Sequence, residues 1–538
     1  MKKYSETEKS MMLGLGWWNV YFIIKLVLFS QDTIEFHPIE NFAFVIYLII
    51  PLRSQLLKVI RTIVAFPIAF YLAHYDSYLP PLERLWSQMG ALLDFKFNYL
   101  LELASRIISL QTLLAIIVLA FAYYFLSRIF RVSMFVIIAM LYFSLPERAP
   151  DVTPQLAAAS PTTTKTQTAN QADESGPVND QILNLAKQSF FEKEAERVSS
   201  LAQSNADAAP FDLLFLSICS VAWDDLKITG LDKHPLFDEF DIVFDKFSAA
   251  TSYSGPALIH FLRASCGQQA HEQLFEDELN PQCYLFDNLA KLGYGETLML
   301  NHDGAFEDFT GLLKENEVKA SAMSKSGLDP YQTAFDGSNI YRDTDMLNRW
   351  LAKRENDPTA KVAALYNTIS LHDGNRIISD SSKVGMESYK IRLTNLLDDL
   401  YAFFQTLKKS NRNVVVMLVP EHGAGIRGDK MQISGMREIP TEAIVHTPVA
   451  MKVFGPNIKR QGEAYHIEEP SSYLAVSDLI NRLLEEDIYA KGNFSAEALA
   501  TDLPSTKMLS QNAGSTTMEY NGKVYVTLDD QTWQEYPE

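Results

Sequence analysis

Five apolar segments crowd the first 150 residues of this chain, and nothing comparable follows, so no single soluble core can absorb the whole polypeptide. They lie at about 13–30 (LGLGWWNVYFIIKLVLFS), 41–52 with its flanks (NFAFVIYLIIPL), 57–73 (LKVIRTIVAFPIAFYLA), 107–126 and 132–146. A helix needs ~20 largely apolar residues to cross a bilayer, and the second and third segments sit at the short limit. The sequence therefore predicts an N-terminal α-helical membrane domain of five spans over residues 1–148. Loop charge orients it. Lys2, Lys3 and Lys9 precede the first span, Arg53, Lys58 and Arg61 surround the second turn, and Arg128 and Arg131 join the last two spans. These loops share one side, which basic residues mark as cytoplasmic, so everything after Pro146 lies outside the cytoplasm. Lys25 falls within the first span near its outer end, where a lysine can snorkel to the interface. With no cleavable signal pattern, the first span reads as an anchor.

Composition divides at the same place. Residues 1–150 hold 13 Lys+Arg against 10 Asp+Glu, which leaves the remainder at −22 of a total formal charge of −19. An acidic domain without a basic cluster argues against nucleic acid as a partner. Residues 149–180, APDVTPQLAAASPTTTKTQTANQADESGPVND, have no aromatic residue and scattered Pro, Thr, Ala and Gln, the composition of a disordered linker. The soluble domain is expected over 181–538. Of three cysteines, Cys266 and Cys283 are seventeen apart, and outside the cytoplasm a disulfide is the default reading for such a pair. Cys219 is left over.

Beyond the linker, short aliphatic runs alternate with helical patterns, which predicts an α/β domain with a mainly parallel central sheet. Four runs end in polar clusters: FDLLFLSIC at Cys219, GETLMLNHDG at His302 and Asp303, NTISLHDG at His372 and Asp373, and NVVVMLVPEHG at Glu421 and His422. Ligands of open α/β sheets sit beyond the carboxyl ends of the strands, so four such ends should converge on one site. Any one His-Asp-Gly is ordinarily a turn; the coincidence of four is the signal.

Cys219, Glu421 and His422 offer thiolate, carboxylate and imidazole, a donor set suited to zinc. The bland alternative is a buried cysteine and a surface Glu-His turn. Ser254, in SYSGPALIHFLRA, is expected at or just before the N-cap of a helix, with Pro256 in the first turn. Most serines so placed only cap. A serine beside a metal ion can instead be a nucleophile, because the ion lowers its pKa, and the absence of GxSxG disfavours an esterase elbow.

Taken together, SYSGPA followed by LRASCGQ, the strand-end Cys219, the NTISLHDG element and PEHG followed by GAGIRGDKMQISGMREIP resemble the bacterial cellulose phosphoethanolamine transferases of the BcsG type, within the alkaline phosphatase and sulfatase superfamily. The resemblance spans the chain and implies zinc held by Cys219, Ser254, Glu421 and His422, with Ser254 as the nucleophile. It implies catalytic roles for His372 and Arg437, substrate contacts from Tyr253, His302 and Arg437, and a Cys266–Cys283 disulfide. Many superfamily relatives have an acidic residue in place of Cys219 and threonine in place of Ser254. The implied reaction moves phosphoethanolamine from phosphatidylethanolamine to a cellulose glucosyl hydroxyl, the 6-hydroxyl by preference, through a phosphoethanolamine-serine intermediate. The implied setting is the bacterial inner membrane, multi-pass, with a periplasmic catalytic domain and contacts to cellulose synthase complex subunits. Rival readings are transfer to another glycan or lipid, a phosphodiesterase, and a non-catalytic membrane assembly subunit.

Overall fold

The computed structural model describes residues 14–31, 33–77, 96–107, 110–144, 178–201, 209–276, 280–357, 359 and 361–537. The expected linker falls at 149–177 outside these. The chain forms two compact units, one from residues 1–90 and 101–174, the other from 91–100 and 175–538.

The first unit is built from apolar helices: α1 (Trp18–Phe29), α2 (Pro38–Ile49), α3 (Gln55–Tyr75), α4 (Phe97–Ile107, its first residues in the other unit), α5 (Leu110–Leu126) and α6 (Val132–Phe143). Among the described residues only α3, at 21 residues, is long and apolar enough to cross a membrane by itself. The other four expected spans appear as apolar helices of 12, 12, 17 and 12 residues. Proline bounds the second of these. Pro38 opens α2, and Pro51 holds Ile50 in an extended conformation that ends it. Phe22, Phe44, Leu48, Ala65 and Met140 share a core, while Phe66 and Phe70 of α3 point outward at 65% and 67% exposure.

Lys25 departs from the snorkelling expectation. It is buried at 3% exposure, ion-paired to Asp76 and donating to Asn41 Oδ1 at 2.8 Å. Asp76 in turn accepts from Asn41 Nδ2 at 2.8 Å and meets His37 Nδ1 at 2.9 Å. A charge in an apolar unit is retained where partners satisfy it, and this network ties α1, α2 and the end of α3.

After residues 91–100, the second unit continues with α7 (Asp180–Ala195), whose N-cap Asn179 accepts from the Ile182 amide, so this helix begins one residue before the expected boundary. Its central sheet has seven strands: β1 (Asp212–Ile218), β2 (Ile242–Phe244), β3 (Gly295–Leu300), β4 (Val362–Thr368), β5 (Val414–Leu418), β6 (Ala450–Phe454) and β7 (Tyr465–Ile467), in the order β7-β2-β6-β5-β1-β4-β3. The pairings β1–β4, β1–β5, β3–β4 and β2–β7 are parallel, and only β6 runs against its neighbours. Both faces are covered, as a parallel sheet requires. Leu213 and Phe215 of β1 pack on the side of α9 (Ser254–Leu262) and α12 (Tyr473–Glu486). Leu214, Leu216 and Ile218 pack on the side of α10 (Asp343–Glu355) and α11 (Gly385–Lys409). A four-stranded antiparallel sheet follows: β8 (Leu509–Asn512), β9 (Ser515–Tyr520), β10 (Lys523–Thr527) and β11 (Trp533–Glu535).

Register aligns the carboxyl ends of the middle strands. Ile218 pairs with Thr368, Leu216 with Leu418, and Leu300 with Asn367. The ladder continues into the loops: Cys219 N–H donates to Thr368 O at 3.0 Å, Glu421 N–H to Ile218 O at 2.9 Å, and Val221 N–H to His422 O at 2.7 Å. Asp225, in α8 (Trp223–Thr229), clamps two of these loops, its Oδ2 accepting from the amides of Ala222 at 2.9 Å and Ala424 at 2.8 Å. Burial pushes its carboxyl from 3.8 up to about 7 despite those bonds. The folded state thus holds a proton that the unfolded chain releases between about pH 4 and 7, so this group's contribution to stability falls as pH rises through that window. Asp225→Asn should flatten that dependence; melting temperature against pH for wild type and variant is the check.

Candidate active site

Cys219 stands one residue past β1, Glu421 and His422 three and four past β5, His302 two past β3 and His372 four past β4. The adjacent order β3-β4-β1-β5 brings all four ends to one edge of the sheet. Among the described residues, ligand atoms of Cys219, Glu421 and His422 lie within 4.8 Å of one another, all three buried. Strand β4 ends earlier than NTISL suggests, at Thr368, because the Asn301 side chain takes over the bonding: its Oδ1 accepts from Ile369 N–H and its amide donates to Thr368 and Ser370 hydroxyls.

Ser254 is the first helical residue of α9, with Tyr253 at the N-cap, rather than the cap itself. Its hydroxyl does not turn back to cap the helix; Oγ lies 3.4 Å from Cys219 Sγ and 3.0 Å from His422 Nε2. Pro256 two residues on has no N–H to leave unsatisfied in the first turn. The free amides of that turn and the helix dipole favour an anion near Ser254.

The donors suit a tetrahedral zinc ion. Bond lengths of ~2.3 Å to sulfur and ~2.0 Å to nitrogen would set the two ligand atoms about 3.5 Å apart. Cys219 Sγ and His422 Nε2 are 3.9 Å apart. His422 Nδ1–H donates to Gly423 O at 2.7 Å, which leaves the Nε2 lone pair facing Cys219 and Ser254. Glu421 Oε1 is held by Ser217 Oγ at 3.0 Å and Asn367 Nδ2 at 2.5 Å, while buried Oε2 has no hydrogen-bond partner. An orphaned carboxylate oxygen beside a thiol and an imidazole fits a cation, since a buried unpaired polar atom otherwise costs stability. Burial pushes the Cys219 thiol up to about 11, with Glu421 adding to the rise and Arg437 opposing it. Burial also raises Glu421 and, joined by the Arg437 charge, holds His422 well below its usual range.

The remaining predicted residues surround this centre. The Arg437 guanidinium lies over the Tyr253 ring at 5.8 Å, with Nη1 3.2 Å from His422 Nδ1 and 3.3 Å from Ser220 Oγ. The Tyr253 hydroxyl donates to Glu438. His372 Nδ1–H donates to Asp373 O at 2.8 Å, and the Phe335 ring packs against it, tilted by 30° at 4.6 Å. Burial, then Arg437, lowers His372 to about 4, so it is neutral at pH 7 and a proton acceptor at Nε2. His302, expected to contact substrate, is buried and hydrogen-bonded within the protein. Nδ1 accepts from Gly304 N–H at 3.1 Å and Nε2–H donates to Asn367 Oδ1 at 3.0 Å, so both nitrogens are committed to the protein. Its role in the fold is to orient Asn367, which orients Glu421. Cys266 and Cys283 are disulfide-bonded.

Several contributors escape the sequence reading. Asn367 and Ser217 look like strand interior, yet both hold Glu421. Asn512, at the end of β8, donates to Ser252 Oγ at 2.7 Å and to the Arg437 and Glu438 carbonyls, tying the Ser254 loop to the Arg437 loop. Tyr99 donates to Asp373 Oδ2 at 2.9 Å from a stretch grouped with this unit. Gly374 follows, in the left-handed region at φ +79°, and a Cβ there would come within 2.8 Å of Phe335 and Tyr99 atoms, so only glycine fits. Trp223 packs on Phe237 at 5.4 Å.

Fold and site together define a class: a mainly parallel α/β domain with a serine, cysteine, glutamate and histidine centre at the carboxyl edge of its sheet, joined to an apolar helical unit. Residues 167–533 match the C-terminal domain of cellulose biosynthesis protein BcsG and residues 18–145 match its N-terminal domain, so the chain belongs to the BcsG family. It is 40% identical to "Cellulose biosynthesis protein BcsG" of Escherichia coli (strain K12), covering 98% of this chain and 97% of that one. With the Salmonella typhimurium protein of the same name the identity is 38% over the same shares. A solved structure described as a protein in the alkaline phosphatase superfamily from Vibrio parahaemolyticus is 13% identical over 68% of this chain and 92% of its own, at a TM-score of 0.45, too low to bear on function.

Asn367→Ala should weaken zinc binding by the full-length protein about 10- to 100-fold, the usual range for loss of an outer-shell partner, measured by chelator competition. Cys266→Ser should leave zinc affinity intact and lower stability by about 2–5 kcal/mol, measured by denaturant unfolding.

Proposed function

We propose that this chain transfers phosphoethanolamine from phosphatidylethanolamine to a glucosyl hydroxyl of cellulose, the 6-hydroxyl, through a covalent phosphoethanolamine-serine intermediate. The observation that carries the reading is the Ser254 hydroxyl, 3.4 Å from a buried cysteine and 3.0 Å from a buried histidine at the amino end of a helix. Membership in a family of cellulose biosynthesis proteins supports the acceptor. Zinc bound by Cys219, Ser254, Glu421 and His422 would supply the charge that lowers the serine pKa and offsets that of the phosphoryl oxygens.

Ser254 Oγ attacks phosphorus, the bond to the diacylglycerol oxygen breaks, and diacylglycerol departs as the neutral alcohol with the proton lost by serine. The sugar hydroxyl then attacks in line and restores the serine. Phosphoryl transfer depends on positioning and electrostatics, which here fall to the Arg437 guanidinium and the amides of the first turn of α9. Neutral His372, with Nδ1–H fixed on Asp373 O, offers Nε2 to the proton of the attacking sugar hydroxyl. Tyr253, buttressed by Glu438 and Arg437, forms a wall against the substrate. The same reading places the chain in the bacterial inner membrane as a multi-pass protein with its second unit in the periplasm, beside cellulose synthase complex subunits.

Incubation of the full-length protein with phosphatidylethanolamine, followed by intact-mass analysis, should reveal one phosphoethanolamine adduct. Ser254→Ala should abolish it, and an adduct that persists in that variant would overturn the assignment of the nucleophile.

A further inference from the structure

Along the first unit, α2 and α3 leave an open groove of about 540 Å³ between them. Glu40, Phe44 and Tyr47 line it from one face of α2, and Ile68, Tyr71 and Tyr75 from one face of α3. The spacing is that of a helical face, so one strip of each helix borders the groove, with Phe44 at its floor where it meets the core. Tyr71 and Tyr75 are 58% and 46% exposed. The carboxylate lies at one end only. Glu40 in the first turn of α2 and Tyr75 at the last residue of α3 mark that end, and Tyr47, two helical turns or ~10 Å further along, spends its hydroxyl on the Arg61 carbonyl.

We infer that this groove holds an amine-bearing phospholipid, phosphatidylethanolamine, with its ammonium at Glu40, Tyr71 and Tyr75 and an acyl chain along Phe44 and Ile68. The argument is charge complementarity. The lining carries one carboxylate and no cation, and among the described residues Glu40 forms no ion pair. Tyr71 and Tyr75 stack at 6.2 Å beside it; His37 packs on Tyr75 at 4.4 Å, and the outer face of Tyr71 is the one that attracts an ammonium. An anionic headgroup such as phosphatidylglycerol would meet an uncompensated carboxylate. A volume of this size suits one chain and a small headgroup rather than a whole helix. The polar end is the outer one in the orientation that the loop charges predict. The inference rests on the proposed donor: a protein that consumes this lipid gains by holding it in its membrane unit.

The test uses full-length protein in nanodiscs of equal phosphatidylethanolamine and phosphatidylglycerol, with lipids retained after mild delipidation counted by native mass spectrometry. Wild type should retain phosphatidylethanolamine over phosphatidylglycerol about fivefold. Glu40→Gln and Tyr71→Ala should bring the ratio near one, Glu40→Asp should keep it, and Glu40→Lys should invert it. Equal retention by wild type, or an unchanged ratio in Glu40→Gln, would overturn the inference, as would a co-purifying polypeptide shielding the groove. Ser254→Ala separates the two readings: it should keep the lipid preference while losing the adduct. Retained preference without any wild-type adduct would leave the groove standing and remove the transferase.

Discussion

Parallel register across β3, β4, β1 and β5 is the constraint on which the rest depends. Each ladder is fixed by the strand before it, so Ile218 opposite Thr368 and Leu216 opposite Leu418 determine how far beyond the sheet every loop begins. Backbone bonds past the strand ends, Cys219 to Thr368 and Glu421 to Ile218, carry that register to the clustered side chains of the site. A slip of one residue would turn Cys219 to the opposite face and leave Glu421 Oε2 buried with nothing to meet. The site is therefore preorganised by main chain, and side-chain hydrogen bonds only refine it.

That refinement is layered. His302 fixes Asn367, Asn367 and Ser217 fix one oxygen of Glu421, and the other oxygen remains for a cation. The Gly423 carbonyl fixes the tautomer of His422 in the same way, and Asn512 reaches from the antiparallel sheet to hold the serine and arginine loops together. Each outer residue acts by removing freedom from an inner one, which is why groups without any contact to the centre belong to its chemistry.

The pattern that announces function in the sequence is the repeated ending of an aliphatic run in His-Asp-Gly or Glu-His-Gly, and it leads to the right strands because a parallel sheet collects its carboxyl ends on one edge. What it could not reveal were partners whose local sequence is unremarkable: Asn367 inside YNT, Ser217 inside LSI, and Asn512 hundreds of residues from Ser252. The helical cap at Tyr253 rather than Ser254 escapes for a related reason, since a serine drawn to neighbours across the fold gives up the local bond that propensity assigns it. Lys25 was legible as an anomaly, but its partner Asp76 lies fifty-one positions away, and only packing pairs them. Five apolar segments were legible as apolar; their length as continuous helix was not, because Pro38 and Pro51 shorten α2.

Tyr99 makes the second unit discontinuous in sequence. Its hydroxyl on Asp373 and its ring against Gly374 come from a stretch that precedes two helices of the first unit, while the residues it supports follow them by more than two hundred positions. A fragment cut at the start of α7 therefore omits a wall of the turn that bears His372, and assays on such a truncated protein would report a looser turn than the intact chain possesses. The natural boundary of the second unit is spatial, and a linear cut cannot reproduce it.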